Sequence, residues 1–208
     1  MILGTRSFAE EVADLARQCA GLELVAFGEN WARERCDESL LGKPVVWVDD
    51  IASLVADHVA VCAIGTTRRR AFIEQVHELG MSFATLVHPS AVIAPSARVG
   101  PGAIVGAGAI VAAHARIGAH TILNRGVLVG HHTTIGDYCT LSPGANVAGL
   151  VSIGDQSYVG MGATVLDRRT IGHDALVGAA ALVTHDVPHS SHVQGIPARI
   201  VREAIAGH

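Results

Sequence analysis

The residues best suited to chemistry in this 208-residue chain are its histidines, twelve in all, and two of them stand side by side as His131-His132. An unperturbed imidazole titrates near pH 6.5, at about neutrality, so a histidine can take a proton from a nucleophile and give it up again. Two equal spacings surround the doublet: His114 precedes His132 by eighteen residues, and Gly149 follows His131 by eighteen. A second candidate is the turn Gly4-Thr5-Arg6-Ser7-Phe8-Ala9, where a short apolar segment gives way to a helical pattern. Amides at a helix N-terminus attract phosphate, and Arg6 can pair with it. A third is Gly65-Thr66, which ends the apolar run Val59-Ala60-Val61-Cys62-Ala63-Ile64. In open α/β sheets the ligand crevice lies beyond the carboxyl ends of such strands.

What must position the histidine doublet is a repeat of six. From Val87 an aliphatic residue recurs at every sixth position, through Ile93, Val99, Val105, Val111, Ile117, Leu123, Val129 and Ile135 to Val183, seventeen hexads without a miss. Glycine often follows the aliphatic residue, as at Gly100, Gly118 and Gly130, and a small residue usually stands four after it, as at Ala103, Thr121 and Thr133. Helices need spacings of three and four, and strands need simple alternation, so a fixed period of six describes neither. It describes a three-sided parallel β-solenoid. Each hexad makes one side, the aliphatic residue points inward, glycine relieves the backbone at the corner, and eighteen residues complete one coil. Coils stack roughly 4.8 Å apart, which places His114 and His132 in one column and His131 over Gly149.

Ahead of the repeat, strand-like and helix-like segments alternate. Residues 2–4, 22–27 and 45–48 read as strands, 7–19 as an amphipathic helix, 59–65 as a buried parallel strand, 68–79 as a helix and 83–86 as a last strand. Such alternation implies a small Rossmann-like α/β module. The expected organisation is a module over 1–86, the solenoid over 87–188, and a tail over 189–208. In that tail, residues 195–201 cap the last open coil and residues 202–208 fray. Arg68-Arg69-Arg70 reads as a solvated face opening the second helix, while His58, His77, His189, His192 and His208 read as surface residues without a role.

Composition narrows the partners. Half of the residues are hydrophobic and 16% are charged, enough to bury a core and too apolar for disorder. Fifteen Lys and Arg against nineteen Asp and Glu leave a formal charge of −4 without a basic block, which argues against nucleic acid or an anionic membrane surface. The uncharged stretches 99–115 and 138–154 are punctuated by Gly, Pro, Ser and Ala, unlike a membrane span. The first residues lack a signal-type pattern, and Cys19, Cys36, Cys62 and Cys139 form no Cys-x-x-Cys pair. A cytoplasmic protein with reduced thiols is expected, its partners small molecules and other copies of itself.

The stretch Asn124-Arg125-Gly126-Val127-Leu128-Val129-Gly130-His131-His132-Thr133-Thr134-Ile135-Gly136-Asp137, the later Leu141-Ser142-Pro143-Gly144-Ala145-Asn146-Val147-Ala148-Gly149, the α/β module and the Pro197-Ala198-Arg199 tail together resemble bacterial hexapeptide-repeat nucleotide-sugar N-acetyltransferases. These include acetyl-CoA enzymes of UDP-linked 4-amino-sugars and of the sialic-acid pathway. The resemblance implies a left-handed parallel β-helix, a homotrimer, acetyl-CoA as co-substrate without a metal, and a nucleotide-linked amino-sugar as acceptor. It implies that His131 takes a proton from the sugar amine as the amine attacks the thioester, and that the Gly149 amide supports the oxyanion. His132 stands where the family usually carries an acidic residue that raises the basicity of the histidine. The positions matching acetyl-CoA contacts are Thr140, Met161, Gly178 and Ala179, with Thr140 in place of a common histidine. Those matching sugar-nucleotide contacts are Arg6, Ser7, Glu29 and Asn30, and Gly65 and Thr66 join them from the strand-end argument. Two other readings accommodate the histidines: a zinc hydratase of the gamma-class carbonic anhydrase type, which uses the same coil, and a non-catalytic sugar-nucleotide binder.

Overall fold

A computed structural model of the chain describes residues 1–205 and 207. Its contacts divide it into two units, one of residues 1–65 and 69–86, the other of residues 66–68 together with the chain from Val87 onward.

The first unit holds β1 (Ile2–Leu3), α1 (Ser7–Gln18), β2 (Phe27–Glu29), β3 (Ser39–Leu40), β4 (Lys43–Trp47), β5 (Val59–Cys62), α2 (Arg70–Glu78) and β6 (Ser82–Phe83). The strands form one sheet in the order β3-β4-β2-β1-β5-β6, parallel except for the β3–β4 hairpin. Ala9, Val12, Ala13 and Leu15 of α1 and Phe72, Ile73 and Val76 of α2 recur at helical spacing and are buried. Because β1 has β2 on one side and β5 on the other, strand order reverses at β1, and the carboxyl ends of these strands flank the switch point.

Three sequence expectations shift here. The second strand does not occupy 22–27 but begins at Phe27, because β1 offers partners only over Ile2 and Leu3, which pair with Phe27 and Gly28. The segment 83–86 divides: Phe83 ends β6, whereas Leu86–Val87 is a separate strand that opens the coil. Arg69 is not solvated but 1% exposed. It lies three, four and seven residues before Phe72, Ile73 and Val76, on the same side as the buried stripe of α2.

In the second unit the hexads wind into a parallel coil with three flat faces. The first face carries the two-residue strands beginning at Leu86, Ile104, Ile122, Thr140, Tyr158 and Leu176, then His192–Gln194. The second carries those beginning at Val92, Ile110, Leu128, Asn146, Thr164 and Leu182, and the third those beginning at Arg98, Arg116, Thr134, Ser152 and Thr170. Each strand pairs in register with the one eighteen residues on, as Leu128 with Asn146 and Val129 with Val147. The aliphatic column points inward and is buried from Val105 to Val183, with the small residues packed beside it. Where that small residue is a hydroxyl, it joins neighbouring coils: Thr133 Oγ1 donates to the Ala148 carbonyl at 2.8 Å and accepts the Val151 N–H at 3.2 Å.

The glycine after each aliphatic residue serves a different purpose from the one expected. It is absent from the positive-φ residues. A β-carbon there would instead run into the next coil's backbone, as at Gly100, where it would stand 2.8 Å from Ala119 N. The left-handed backbone falls two residues further on, at Gly126, Gly144 and Gly162, and also at His114, His120, His132, Tyr138, Leu150 and Arg168. The corner geometry therefore demands a positive φ whatever residue occupies it.

The last coil is two residues short. Val187 bridges Ile171 and Val193 pairs with Val177, each sixteen residues apart. His192–Gln194 then pairs antiparallel with Arg199–Arg202, so a hairpin covers the open edge of the first face. Fraying from residue 202 is not observed: Arg202 ends this strand, and the Ile205 N–H donates to the Ser190 carbonyl at 2.9 Å. Ala206 and His208, which that expectation included, lie outside the described residues. Among the described residues no helix is long and apolar enough to cross a membrane.

Candidate functional site

The three corners of the coil differ in chemistry. Between the third and first faces, side chains cap the coil before them. Asp137 Oδ1 accepts the Ala119 N–H at 2.7 Å, Asp155 Oδ1 the Asp137 N–H at 2.9 Å, His173 Nδ1 the Asp155 N–H at 2.9 Å and His189 Nδ1 the His173 N–H at 3.0 Å. His173 and His189 are thus structural.

The corner between the second and third faces carries the doublet. His131 Nδ1 and His132 Nδ1 are 3.2 Å apart, so one ring donates to the other. His132 occupies the left-handed position with φ 57°, and its ring lies 4.7 Å from that of His114 on the preceding coil. The ring of His131 lies over Gly149 on the following coil, where a β-carbon would stand 2.7 Å from Nε2. The Gly149 carbonyl accepts the Arg168 N–H at 3.1 Å, while its own N–H has no acceptor among the described residues. Both histidines are exposed. The structure thus brings together His131, His132, Gly149 and His114 as an accessible imidazole, an imidazole partner, and an amide free to meet an oxyanion.

The other residues matched to acetyl-CoA contacts lie elsewhere. Met161, Gly178 and Ala179 stand at the corner between the first and second faces, across the second face from His131. Met161 is 58% exposed and Ala179 is exposed, whereas a β-carbon on Gly178 would stand 3.0 Å from Gln194 Cβ. Thr140 starts a strand of the first face and is buried.

In the first unit, Arg6 is exposed at the N-cap of α1, makes no capping bond with its side chain, and leads into the exposed Ser7. Gly4 has φ 111°, and a β-carbon there would press on the Ala63 carbonyl oxygen at 3.1 Å, so the turn needs glycine on both counts. Gly65, after β5, opens onto free space; Thr66, which belongs to the second unit, is exposed. Asn30 is half-buried and donates through Nδ2 to Gln75 Oε1 at 3.2 Å.

Glu29 is turned inward and buried. One carboxylate oxygen accepts the Thr5 hydroxyl, and the other accepts the N–H groups of Asn30 at 3.0 Å, Trp31 at 2.7 Å and Ala32 at 3.4 Å. Burial pushes the Glu29 carboxyl up, but the bonds from Thr5, Trp31, Ala32 and Asn30 outweigh it and hold the group below the ordinary glutamate range. Arg35 completes the connection by donating to the Thr5 carbonyl at 2.9 Å and its hydroxyl at 3.0 Å. Thr5 was expected only as part of the turn and Arg35 not at all, and no sequence spacing marks the bonds they make. Burial pushes the Cys62 thiol up to about 11 against the opposing charge of Arg69, which leaves it unreactive. Among the described residues no three or more His, Cys, Asp or Glu side chains are grouped to hold a metal ion.

The family model described as bacterial transferase hexapeptide (six repeats) matches residues 114–149, the segment that carries the whole histidine corner. No curated protein matches the sequence. Among solved structures, a mutant of perosamine N-acetyltransferase from Caulobacter crescentus, in complex with CoA and GDP-perosamine, superposes with a TM-score of 0.90 at 33% identity, over 97% of this chain and 96% of that one. WeeI from Acinetobacter baumannii gives a TM-score of 0.88 at 30% identity, over 96% and 98%. The acetyltransferase domain of PglB from Neisseria gonorrhoeae, in complex with acetyl coenzyme A, gives 0.88 at 28% identity, over 96% and 97%. A coil of six-residue repeats, an exposed histidine over a glycine at its corner, a parallel α/β unit ahead of it and likeness along nearly the whole chain together show that the protein belongs to the hexapeptide-repeat nucleotide-sugar N-acetyltransferases.

Proposed function

We propose that the protein moves the acetyl group of acetyl-CoA to the amine of a nucleotide-linked amino-sugar, with His131 as general base. The observation that carries this reading is the His131–Gly149 corner, where Nε2 lies over a residue without a side chain whose amide has no acceptor among the described residues. In this role the Nδ1–H of His131 donates to His132, which leaves the Nε2 lone pair for the substrate. Nε2 takes a proton from the amine as its nitrogen attacks the thioester carbonyl. The C–N bond forms, the Gly149 N–H supports the oxyanion, and the C–S bond then breaks to release CoA, whose sulfur takes up a proton. No covalent enzyme intermediate is needed. Relatives in complex with CoA and GDP-perosamine support this pair of substrate classes.

In this reading residues 1–86 form a Rossmann-like module for the sugar nucleotide, with its phosphates near Arg6 and Ser7 at the start of α1, and residues 87–188 form a left-handed coil for catalysis. A homotrimer completes the site. Met161, Gly178 and Ala179 stand across the second face from His131, so a neighbouring copy is needed to bring an acetyl-CoA corner to the base. The exposed apolar column Val92, Ile110 and Leu128 on that face supports such packing. Four free cysteines support a reducing, cytoplasmic setting.

A thiol-release assay with acetyl-CoA against UDP-, dTDP- and GDP-linked amino-sugars, each beside its hydroxyl analogue, tests the proposal. Release with an amino-sugar and none with its analogue is expected. Tight binding of a sugar nucleotide with no release from any of them contradicts it and favours a non-catalytic binder.

A further inference from the structure

Trp31 is 88% exposed, more than any other large hydrophobic side chain among the described residues. An indole left in water forgoes the burial that makes tryptophan useful to a fold and keeps its π-face open to a ligand. The other tryptophan is engaged: Trp47 donates through Nε1 to Asp49 at 3.0 Å and lies 5.4 Å beneath the Arg33 guanidinium.

The loop that carries Trp31 is held in place. It leaves the carboxyl end of β2, and the Glu29 carboxylate gathers the N–H groups of residues 30, 31 and 32. The same carboxylate accepts the Thr5 hydroxyl, and Arg35 donates to the Thr5 carbonyl, so the loop is bonded to the turn between β1 and α1. That turn ends in the uncapped start of α1 beside the exposed Arg6, the place in the module best suited to phosphate. A ligand whose phosphates rest there has its remaining parts over the carboxyl ends of neighbouring strands, and β2 is the neighbour of β1. The polar side chains beside Trp31 are already committed, Glu29 to the loop and Asn30 to Gln75. What the loop offers a ligand is therefore an aromatic face rather than a set of polar groups.

We propose that Trp31 is the platform on which the nucleobase of the sugar nucleotide stacks, making it a substrate-binding residue of the nucleotide site. This rests on the reading of the protein as a nucleotide-sugar N-acetyltransferase. Stacking on an indole uses the π-face that every base has, and removing such a platform weakens binding about 5- to 100-fold. The exposed ring carries no part of the core, so its replacement leaves the fold intact.

Titrations of GDP, UDP and dTDP into the wild-type protein, Trp31→Phe and Trp31→Ala, followed by calorimetry and tryptophan emission, test this. At least one diphosphate should quench wild-type emission saturably, and the quench should vanish in Trp31→Phe, whereas pyrophosphate alone should not quench. The Kd of that diphosphate should rise about 5- to 100-fold in Trp31→Ala and less in Trp31→Phe. The KM for the sugar nucleotide should follow, with the KM for acetyl-CoA unchanged. Undiminished affinity in Trp31→Ala overturns the role of Trp31 and leaves the proposed function standing. Failure of the wild-type protein to bind any of the three overturns both.

Discussion

The His131 ring lies so close to Gly149 that a β-carbon at residue 149 would stand 2.7 Å from Nε2 and 2.8 Å from Cε1. Gly149 is not one of the left-handed residues of the coil, so it is the imidazole, not the backbone, that excludes a side chain there. Gly149→Ala is expected to push the ring aside and lower kcat about 10- to 100-fold, since small misplacements of a reacting group have effects of that size. The ring is exposed and free to swing outward, so urea unfolding should show a stability loss below about 1 kcal/mol. An unchanged kcat would separate Gly149 from the chemistry.

His132 supplies an imidazole where a carboxylate would add negative charge beside His131. His132→Asp should raise kcat a few-fold, since general-base efficiency rises only fractionally with the basicity that the added charge gives His131. Aspartate also tolerates the left-handed backbone at this position better than most residues. A fall in kcat would instead identify the imidazole of His132, tilted against the ring of His114, as the better partner; steady-state rates of the two proteins decide.

Glycines of the coil fall into two classes with different sensitivities. At Gly118 a β-carbon would overlap the Gly136 carbonyl of the next coil, whereas at Gly126 nothing lies within 4 Å and φ is 67°. Gly118→Ala is expected to destabilise by about 2–3 kcal/mol through overpacking, and Gly126→Ala by about 1 kcal/mol from backbone conformation alone. Denaturant unfolding of both variants gives the comparison, and equal losses would contradict the distinction.

Glu29 titrates below the ordinary glutamate range in the folded protein. Its ionised form therefore contributes stability that is present above the unfolded value, about 4.3, and is lost as pH falls through the lower folded value. Glu29→Gln should unfold at lower urea than wild type at pH 7, with the gap closing as the pH drops below about 4. A gap independent of pH would mean that shape rather than charge matters at this site.

The coil was legible because its signal is redundant: every sixth residue from Val87 to Val183 must be aliphatic to point inward, and none departs. Its left-handed position was hidden because His132, Leu150 and Arg168 occupy it as well as Gly126, so no one residue type marks it. A stacking rule of eighteen sufficed to bring His131 to Gly149 and His114 to His132, since both pairs follow from the period. The first unit was read less well. A glutamate just after a strand has the same appearance whether it faces a ligand or its own loop, and Glu29 does the latter. Arg69 reads as solvated by its charge, yet its spacing from Phe72, Ile73 and Val76 puts it on the buried side. Thr140, Met161 and Ala179 were grouped by resemblance, and the coil sets them on a face and a corner away from His131.

The central claim is that His131 is the base, and its most direct test is thiol release by wild type and His131→Ala under saturating acetyl-CoA and amino-sugar nucleotide, with acetyl-CoA binding followed by calorimetry. Loss of a general base predicts a fall in kcat of about 100- to 10,000-fold with the acetyl-CoA Kd unchanged. Turnover within a few-fold of wild type would contradict the account and remove the histidine corner from the chemistry.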